Sequence, residues 1–206
     1  MLSIKYGHML KDREQIIQCL KDGGVIAYVT DTVWGLGCLP DNEQAVQKIY
    51  DIKKREKQKP LILMSNDIYN LLDYIKPMPK IGHILIKKYF PGALTIVTDK
   101  SNNTPDYITS GMQTVGIRVP DNETFRAICE IIPNHVLATT SANLSHQPSA
   151  KTYEQAIENM AGLADMIIPD YGFKAKGLES TVAGIMDNEL RIFRQGEITI
   201  DENLLR

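Results

Sequence analysis

Helix-like and strand-like segments alternate along almost the whole chain, and this alternation is the feature that most restricts the fold. Apolar residues recur at helical spacing in the segment 10–22, whereas 25–29 and 93–98 are short, continuous apolar runs. Such alternation is typical of a single α/β layer structure. Several connections are too short for a crossover helix, so we expect a sheet with mixed strand directions.

The pattern predicts the elements individually. The predicted helices cover 10–22, 44–52, 66–75, 80–90, 123–132 and 156–162. The predicted strands, seven or eight in number, cover 25–29, 61–64, 93–98, 114–119, 135–140, 165–169, 180–186 and 190–194. Asp41, Asp121 and Thr152 are the expected N-cap residues of three helices. The glycine-containing segment 30–40 is predicted to be a loop, and 187–188 a turn.

Length and composition are those of one globular unit. The chain has 206 residues, of which 43% are hydrophobic and 23% charged, and no low-complexity linker divides it. We therefore expect a single domain over 1–206 with a core at about 10–200.

The sequence offers no sign of export or membrane insertion. The first 15 residues carry charges where a signal peptide needs its apolar centre, and no apolar run approaches the ~20 residues of a membrane span. We expect a soluble, cytoplasmic protein that has no membrane partner.

The cysteines and histidines form no metal-binding pattern. The chain has three cysteines and four histidines, and none of them has the short spacing of a zinc site or a redox dithiol. Free thiols fit a reducing compartment. The sequence predicts no structural metal.

A basic run, "KKREKQKP", occupies residues 53–60 of a chain whose formal net charge is only -2. It contains Lys53, Arg55 and Lys59 and lies between a predicted helix and a predicted strand. The run could be a solvated turn, a strip for nucleic acid, or one wall of a site for an anion. The sequence pI of about 6.1 excludes a generally basic surface, so any RNA contact needs such a local patch.

Four loops beside predicted strands are rich in hydrogen-bond donors: 30–37, 53–60, 139–143 and 177–182. Loops at strand ends are where α/β folds build sites. The chain has neither a phosphate-binding Walker loop nor the glycine-flanked serine of an α/β hydrolase. Hydroxyls, one amide, lysines and arginines instead suit phosphate and carboxylate oxygens.

Six motifs in order from about residue 10 to 200 resemble the YrdC/TsaC family of threonylcarbamoyl-AMP synthases. They are "TDTVWGLG", Lys53-x-Arg55 with Lys59-Pro60-Leu61, "FPGALTIV", "VGIRVP", "TTSANLS" and "ESTV" with a late "RIFRQGEI". The resemblance implies one α/β domain with a twisted mixed sheet and flanking helices around an open, positively lined cavity.

The resemblance also implies the chemistry. L-threonine, bicarbonate and ATP, which brings Mg²⁺, would form threonylcarbamoyl-adenylate and pyrophosphate. The adenylate would serve a downstream transferase complex that makes N6-threonylcarbamoyladenosine in tRNAs reading ANN codons. No side chain has to act as a covalent nucleophile in this reaction.

Specific residues follow from the same resemblance. It implies catalysis by Lys53 and Arg55, ATP and phosphate binding by Lys53, Arg55, Ser141, Asn143 and Arg194, and threonine binding by Thr32, Arg118 and Ser180. We expect Lys54 and Lys57 to be solvated neighbours. Lys59 is assigned to neither group, because the Lys59-Pro60 pair suits the turn as much as the substrate.

Three positions depart from the usual family pattern. Met64 stands where many members have a histidine, Ala93 where proline is frequent, and His146 where glycine is usual. The chain ends soon after "RIFRQGEI". We therefore expect a short, single-domain member of the family.

Two other functions fit parts of the pattern. A non-catalytic RNA-binding protein, like the YciO paralogues, would use the cavity and the basic run for tRNA or double-stranded RNA. The second alternative is a carbamoyl-transfer step within a larger maturation enzyme. It is less well supported, because no acylphosphatase-like or zinc-finger segment accompanies the domain. Lys53-x-Arg55 together with Ser141-x-Asn143 favours the synthase.

Overall fold

The computed structural model of the chain describes residues 2–54, 59–186 and 189–201, with side chains from residue 12 onward. The strands are β1 (Ile26–Tyr28), β2 (Gly35–Cys38), β3 (Ile62–Ser65), β4 (Leu94–Asp99), β5 (Thr114–Arg118), β6 (Val136–Ser141), β7 (Met166–Ile167), β8 (Thr181–Met186) and β9 (Glu189–Arg194). The α-helices are α1 (Leu2–Lys21), α2 (Glu43–Lys53), α3 (Lys80–Tyr89), α4 (Asp106–Thr109), α5 (Glu123–Ile131) and α6 (Tyr153–Met160). Short 3-10 helices cover Ile68–Tyr74 and Pro133–His135.

The nine strands found in the described ranges form one mixed sheet, in the order β7-β1-β2-β6-β3-β5-β4-β8-β9. Three neighbouring pairs are parallel: β1 with β7, β3 with β5, and β4 with β8. The other pairs are antiparallel. The predicted α/β class with a mixed sheet and flanking helices is confirmed.

Helices cover the two faces of the sheet unequally. One face packs against α2, α3, α4 and α6 in the larger part of the hydrophobic core. On the opposite face, Ile16 and Leu20 of α1 and Phe125 and Ile128 of α5 form a smaller apolar cluster. A cavity lies over another part of this second face. The fold thus leaves room for a site directly on the sheet.

Strand register places the candidate site residues on this second face. Met64 of β3 lies opposite Arg118 of β5, and Gly35 of β2 lies opposite Ser141 of β6. Successive side chains on a strand point to opposite faces, so register partners share a face. Val182 of β8 lines the cavity as well. Distant parts of the sequence therefore meet on one side of the sheet.

The prediction of a loop over 30–40 is wrong for Gly35–Cys38, which is strand β2. The glycines there are needed because the Tyr28 ring of β1 crosses their strand. An added Cβ would lie 2.8 Å from Tyr28 Cε2 at Gly35 and 2.8 Å from Tyr28 Oη at Gly37. A glycine inside a strand often marks such a close approach and not a loop.

Two predicted helix caps are wrong by one residue. Asn42 and Asn122, not Asp41 and Asp121, cap α2 and α5, and each accepts a bond from a first-turn amide. Thr152 is confirmed as the cap of α6.

The predicted elements otherwise correspond closely to the structure. The predicted helix over 66–75 is a 3-10 helix. Each of the eight predicted strands overlaps an observed one. The predicted turn at 187–188 lies outside the described residues. No helix in the described part of the chain is both long enough and apolar enough to cross a membrane.

The contact between Tyr28 and β2 predicts that removing the Tyr28 hydroxyl offsets the loss of stability from an alanine at Gly37 but not at Gly35. Gly37→Ala should lower the free energy of unfolding by about 1–3 kcal/mol, because the new methyl group overlaps the Tyr28 hydroxyl. In a Tyr28→Phe background, where that hydroxyl is absent, the added cost of Gly37→Ala should fall below about 1 kcal/mol. Gly35→Ala should not be rescued, because Gly35 faces ring carbon atoms. Urea denaturation of the single and double variants measures both effects, and equal rescue at the two glycines would contradict this packing.

Candidate active site

The cavity has a volume of about 200 Å³ and lies where the central strands run side by side. Its described lining consists of Thr30, Thr32, Val33, Trp34, Gly35, Pro60, Ile62, Met64, Thr95, Arg118, Thr139, Thr140, Ser141, Glu179, Ser180, Val182 and Arg194. Hydroxyl groups and two arginines are set among aliphatic side chains. This combination suits a small ligand that carries both an anionic and an apolar part.

Arg118, at the end of β5, is the buried charge of the site, with only 2% of its surface exposed. Nη2 donates to Asp31 Oδ1 at 2.5 Å, Nη1 to Thr32 Oγ1 at 2.8 Å, and Nε to the Gly92 carbonyl at 2.9 Å. Burial lowers the pKa of the guanidinium, and the Asp31 carboxylate opposes that shift. An arginine stays protonated in either case. A fixed cation therefore lies in the cavity wall.

The loop before β2 is held in shape by its own threonines. The Thr30 hydroxyl donates to the Val33 carbonyl at 2.7 Å and accepts from the Thr32 amide at 3.2 Å. Thr32 is completely buried, and its hydroxyl lies 3.1 Å from that of Thr30. The loop thereby presents Asp31 and Thr32 to Arg118.

A second arginine, Arg194 of β9, also lines the cavity. Arg194 of β9 donates to the Ser180 carbonyl through Nε at 3.2 Å and Nη2 at 2.9 Å. Its Nη1 donates to a Glu179 oxygen, and the other Glu179 oxygen accepts from the Ser149 hydroxyl at 2.9 Å. The Ser180 hydroxyl lies 2.8 Å from that of Thr95. Glu179 thus connects the arginine to the loop that follows β6.

The loop after β6 is organised around a buried lysine. The Lys53 ammonium, at the end of α2, donates to the Ser141 carbonyl at 2.5 Å, the Asn143 carbonyl at 2.6 Å and Asn143 Oδ1 at 3.0 Å. The Ser141 hydroxyl donates to the same Oδ1 at 2.6 Å, and Asn143 Nδ2 donates to the Gln147 carbonyl at 2.5 Å. Lys53 is 1% exposed. The lysine shapes this loop from behind the cavity.

The structure brings together most of the predicted site residues, but not all of them. Thr32, Arg118, Ser141, Ser180 and Arg194 line one cavity. Lys53 and Asn143 are not among its described lining residues, and the contacts of the Lys53 ammonium do not match the expectation that it faces the cavity. Their assignment to ATP binding, and that of Lys53 to catalysis, stays a prediction.

The rest of the basic run is only partly described. Arg55 and Lys57 lie outside the described residues, so the predictions for them stay open. Lys54 is exposed and ends α2 in a left-handed conformation with φ 48°. The Lys59 carbonyl accepts from the Tyr50 hydroxyl at 3.0 Å, which ties the end of the run to α2.

The described lining does not establish the expected positive cavity. The charged side chains in it are Arg118, Arg194 and Glu179, and Asp31 pairs with Arg118 at the edge. Two positive charges are thus matched by two negative charges. An incoming anion must share or replace these carboxylates.

Two of the departures from the family pattern have a structural context. Met64 lines the cavity and lies opposite Arg118 on the neighbouring strand, so the first departure places a thioether in the cavity wall. His146 has φ 68°, a left-handed conformation that glycine adopts more easily. The first affects the cavity wall, and the second affects the loop held by Lys53.

The described side chains suit binding better than covalent catalysis. Burial raises the pKa of all three thiols, most strongly those of Cys38 and Cys129, and a protonated thiol is a weak nucleophile. No group of three or more potential metal ligands occurs among the residues that the structure describes. The cavity can orient ligands and stabilise their charge.

Sequence reasoning missed two acidic residues of the site. Asp31 and Glu179 lie inside the motifs "TDTVWGLG" and "ESTV", yet only Thr32 and Ser180 were assigned there. Each carboxylate binds an arginine that was predicted to bind an anion. An acidic residue next to a predicted anion ligand is the signal that could have identified them.

The chain is similar to several known proteins. The family model Sua5_yciO_yrdC, described as "Telomere recombination", matches residues 18–196. The threonylcarbamoyl-AMP synthase of Bacillus subtilis (strain 168) is 36% identical over 191 residues, which are 91% of this chain and 54% of that protein. The chain thus spans about half the length of this relative.

Two solved structures share the fold. Sua5 of P. abyssi complexed with L-threonine superposes with a TM-score of 0.84 at 32% identity, over 91% of this chain and 54% of that one. YciO of E. coli gives a TM-score of 0.82 at 24% identity, over 95% and 93% of the two chains. The YciO likeness is one of fold alone.

The contacts of Lys53 predict that replacing it destabilises the fold much more than replacing its neighbour Lys54. Lys53→Met should lower the free energy of unfolding by about 2–4 kcal/mol, because three oxygens of the loop after β6 lose a charged donor. Lys54→Met, at an exposed position, should change it by less than about 0.5 kcal/mol. Urea denaturation compares the two variants, and similar small losses in both would contradict the role of Lys53 in the loop.

The Glu179–Arg194 pair predicts tighter anion binding when its negative charge is removed. Glu179→Gln keeps an oxygen for Ser149 but no longer competes for Arg194, so inorganic pyrophosphate should bind a few-fold more tightly. Glu123→Gln is the matched control, since Glu123 forms a similar half-exposed pair with Arg126 on α5. Calorimetric titration measures the affinities. Weaker binding to Glu179→Gln than to the wild type would show that the carboxylate supports the anion site.

Proposed function

Because the chain belongs to the Sua5/YciO/YrdC family, we propose that it makes threonylcarbamoyl-AMP and pyrophosphate from L-threonine, bicarbonate and ATP. The observation that carries this proposal is the single cavity in which Thr32, Arg118 and Ser180 lie near Ser141 and Arg194. It contains donors that suit both an amino-acid carboxylate and phosphates. The B. subtilis relative is named for this product, and the P. abyssi relative was solved with L-threonine.

Threonine binds at the Arg118 end of the cavity. Three of the five N–H groups of Arg118 are used by Asp31, Thr32 and Gly92 among the described residues, which leaves two for the carboxylate. The buried pair fixes the guanidinium plane, so the carboxylate meets donors that are already oriented. The Thr32 and Ser180 hydroxyls hold the polar groups of the substrate. Aliphatic residues such as Ile62 and Val182 contact its methyl group.

The reaction proceeds in two steps. The threonine amine attacks the carbon of bicarbonate and forms an N-carboxylate, with loss of water. A carbamate oxygen then attacks the α-phosphorus of ATP, and the bond to the β-phosphate oxygen breaks with release of pyrophosphate. The protein contributes position and charge, and no covalent enzyme intermediate forms.

The nucleotide binds at the Arg194 end. Arg194 and the Ser141 hydroxyl contact the phosphates, and Glu179 yields its place on Arg194 to them. Asn143 and Lys53 support this end by fixing the loop after β6. Arg55, two residues after Lys53 in the sequence, supplies a further phosphate contact, as the family resemblance implies. Mg²⁺ would arrive as part of the MgATP substrate and would offset the negative charge of the phosphates.

The product serves tRNA modification. Threonylcarbamoyl-AMP is a mixed anhydride that donates its acyl group to the N6 amine of adenosine in tRNA, which requires a separate transferase. Cytoplasmic localisation is part of this proposal, since its substrates and tRNA are found there.

A non-catalytic RNA-binding role is the alternative. It needs a continuous cationic strip, yet Lys53 of the basic run is buried and the two cavity arginines are paired with carboxylates. The likeness to YciO is compatible with both functions because it concerns the fold alone. The charge distribution in the described residues favours the synthase.

If the protein is a synthase, pyrophosphate release should depend on both L-threonine and bicarbonate. Purified protein with MgATP should release pyrophosphate only when L-threonine and bicarbonate are both present, because the attacking oxygen exists only in the carbamate. Mass spectrometry should detect the adenylate. L-serine should replace threonine with a penalty of about 1–3 kcal/mol in kcat/KM, the worth of one methyl group in an apolar pocket.

The control omits each component in turn and adds transfer RNA. Release of pyrophosphate without threonine would indicate a plain nucleotide hydrolase. High-affinity RNA binding with no adenylate formation would support the alternative function.

A further inference from the structure

An irregularity in β9 places two neighbouring side chains on the same face of the sheet. Val182 of β8 pairs with Arg194, and the next residue, Ala183, pairs with Ile192, so Phe193 is the extra residue of a β-bulge. A regular strand would send Phe193 and Arg194 to opposite faces. The bulge removes that alternation at this point.

The position of the Phe193 ring shows which face it occupies. A Cβ added to Gly184 would lie 2.5 Å from both Cε2 and Cζ of Phe193, so the ring edge lies over this glycine. Gly184 is two residues from Val182 on β8 and therefore points to the same face, which is the face of the cavity. Phe193 and Arg194 both lie on the cavity side.

Phe193 is open to a ligand. Its surface is 53% exposed although the ring rests on the sheet. Val182, which lines the cavity, lies about 7 Å along β8 from Gly184, since a strand rises about 3.3 Å per residue. The Arg194 guanidinium lies at Ser180 and the Phe193 ring lies at Gly184, with Val182 of the cavity wall between them. Ser180 and Gly184 are four residues apart, which is about 13 Å along an extended strand.

We propose that Phe193 is a nucleobase platform on which the adenine of ATP stacks while Arg194 contacts its phosphates. The proposal rests on the proposed function and adds a base-binding subsite to it. A nucleotide carries an aromatic base at one end and phosphates at the other, and consecutive residues of β9 offer a partner for each. Stacking of a base on an aromatic side chain needs no specific hydrogen bonds, which suits an exposed ring with no polar group of its own.

The same geometry explains two features of the sequence. Gly184 in the middle of β8 leaves room for the ring, because any larger residue would displace it. The bulge at Phe193 keeps Arg194 at the cavity rim while adding the aromatic group beside it. Ile192, the preceding residue, is 44% exposed and pairs with Ala183, whose side chain points to the other face.

Calorimetric titrations with MgATP and with inorganic pyrophosphate test the platform. Phe193→Ala should weaken MgATP binding about tenfold, the loss expected for one stacked base, and leave pyrophosphate binding within twofold of the wild type. Phe193→Trp, with a larger ring, should retain or improve MgATP affinity. Ile192→Ala is the matched control on the same strand and should change neither affinity. Circular dichroism spectra check that every variant is folded.

Three outcomes would overturn the proposal. They are unchanged MgATP binding in Phe193→Ala, equal losses for MgATP and pyrophosphate, or a loss confined to a single-stranded oligoribonucleotide. The last outcome would assign the platform to RNA. A wild-type protein that binds MgATP but forms no adenylate would contradict the proposed function and leave the platform standing, whereas one that binds no MgATP would contradict both.

Discussion

The buried ion pair between Arg118 and Asp31 joins the segments that form the cavity. Arg118 belongs to β5, Asp31 to the loop before β2, and Gly92, whose carbonyl accepts the third bond, to the turn before β4. Removing one partner of a buried pair leaves an uncompensated charge, which costs about 3–5 kcal/mol. The three segments therefore hold one another in place. The fixed guanidinium that results is the feature on which the proposed threonine site depends.

The sheet provides the surface on which this pair can act. Helices α1 and α5 cover only part of one face of the sheet. The rest of that face is bordered by the loop after β1, the end of β6 and the segment before β8. Gly35 lies under the Tyr28 ring and also lines the cavity. The buried Lys53 holds the loop after β6, and Glu179 connects that loop to Arg194. Arg194 is thus linked through Glu179 to the loop that Lys53 holds.

Much of the fold could be predicted from local pattern, whereas the division of roles in the site could not. Apolar runs identified eight strands, and helical spacing identified the helices. Strand β2 was missed, because its glycines indicate a loop unless the position of the Tyr28 ring is known. Five of the residues named from motif resemblance line one cavity, while their roles stay a prediction. The sequence does not show that Lys53 is buried, because burial depends on how α2 meets the loop after β6. The bulge that turns Phe193 toward the cavity depends on pairing with β8 and is equally invisible in the sequence.

A crystal structure of the protein with L-threonine and a non-hydrolysable ATP analogue would show directly whether one cavity binds both substrates. We expect both ligands to occupy the one cavity on the open face of the sheet, with the threonine carboxylate on Arg118 and the phosphates on Arg194 and Ser141. Ligands bound elsewhere, or a nucleotide held on the exposed surface of the basic run with the cavity empty, would contradict it.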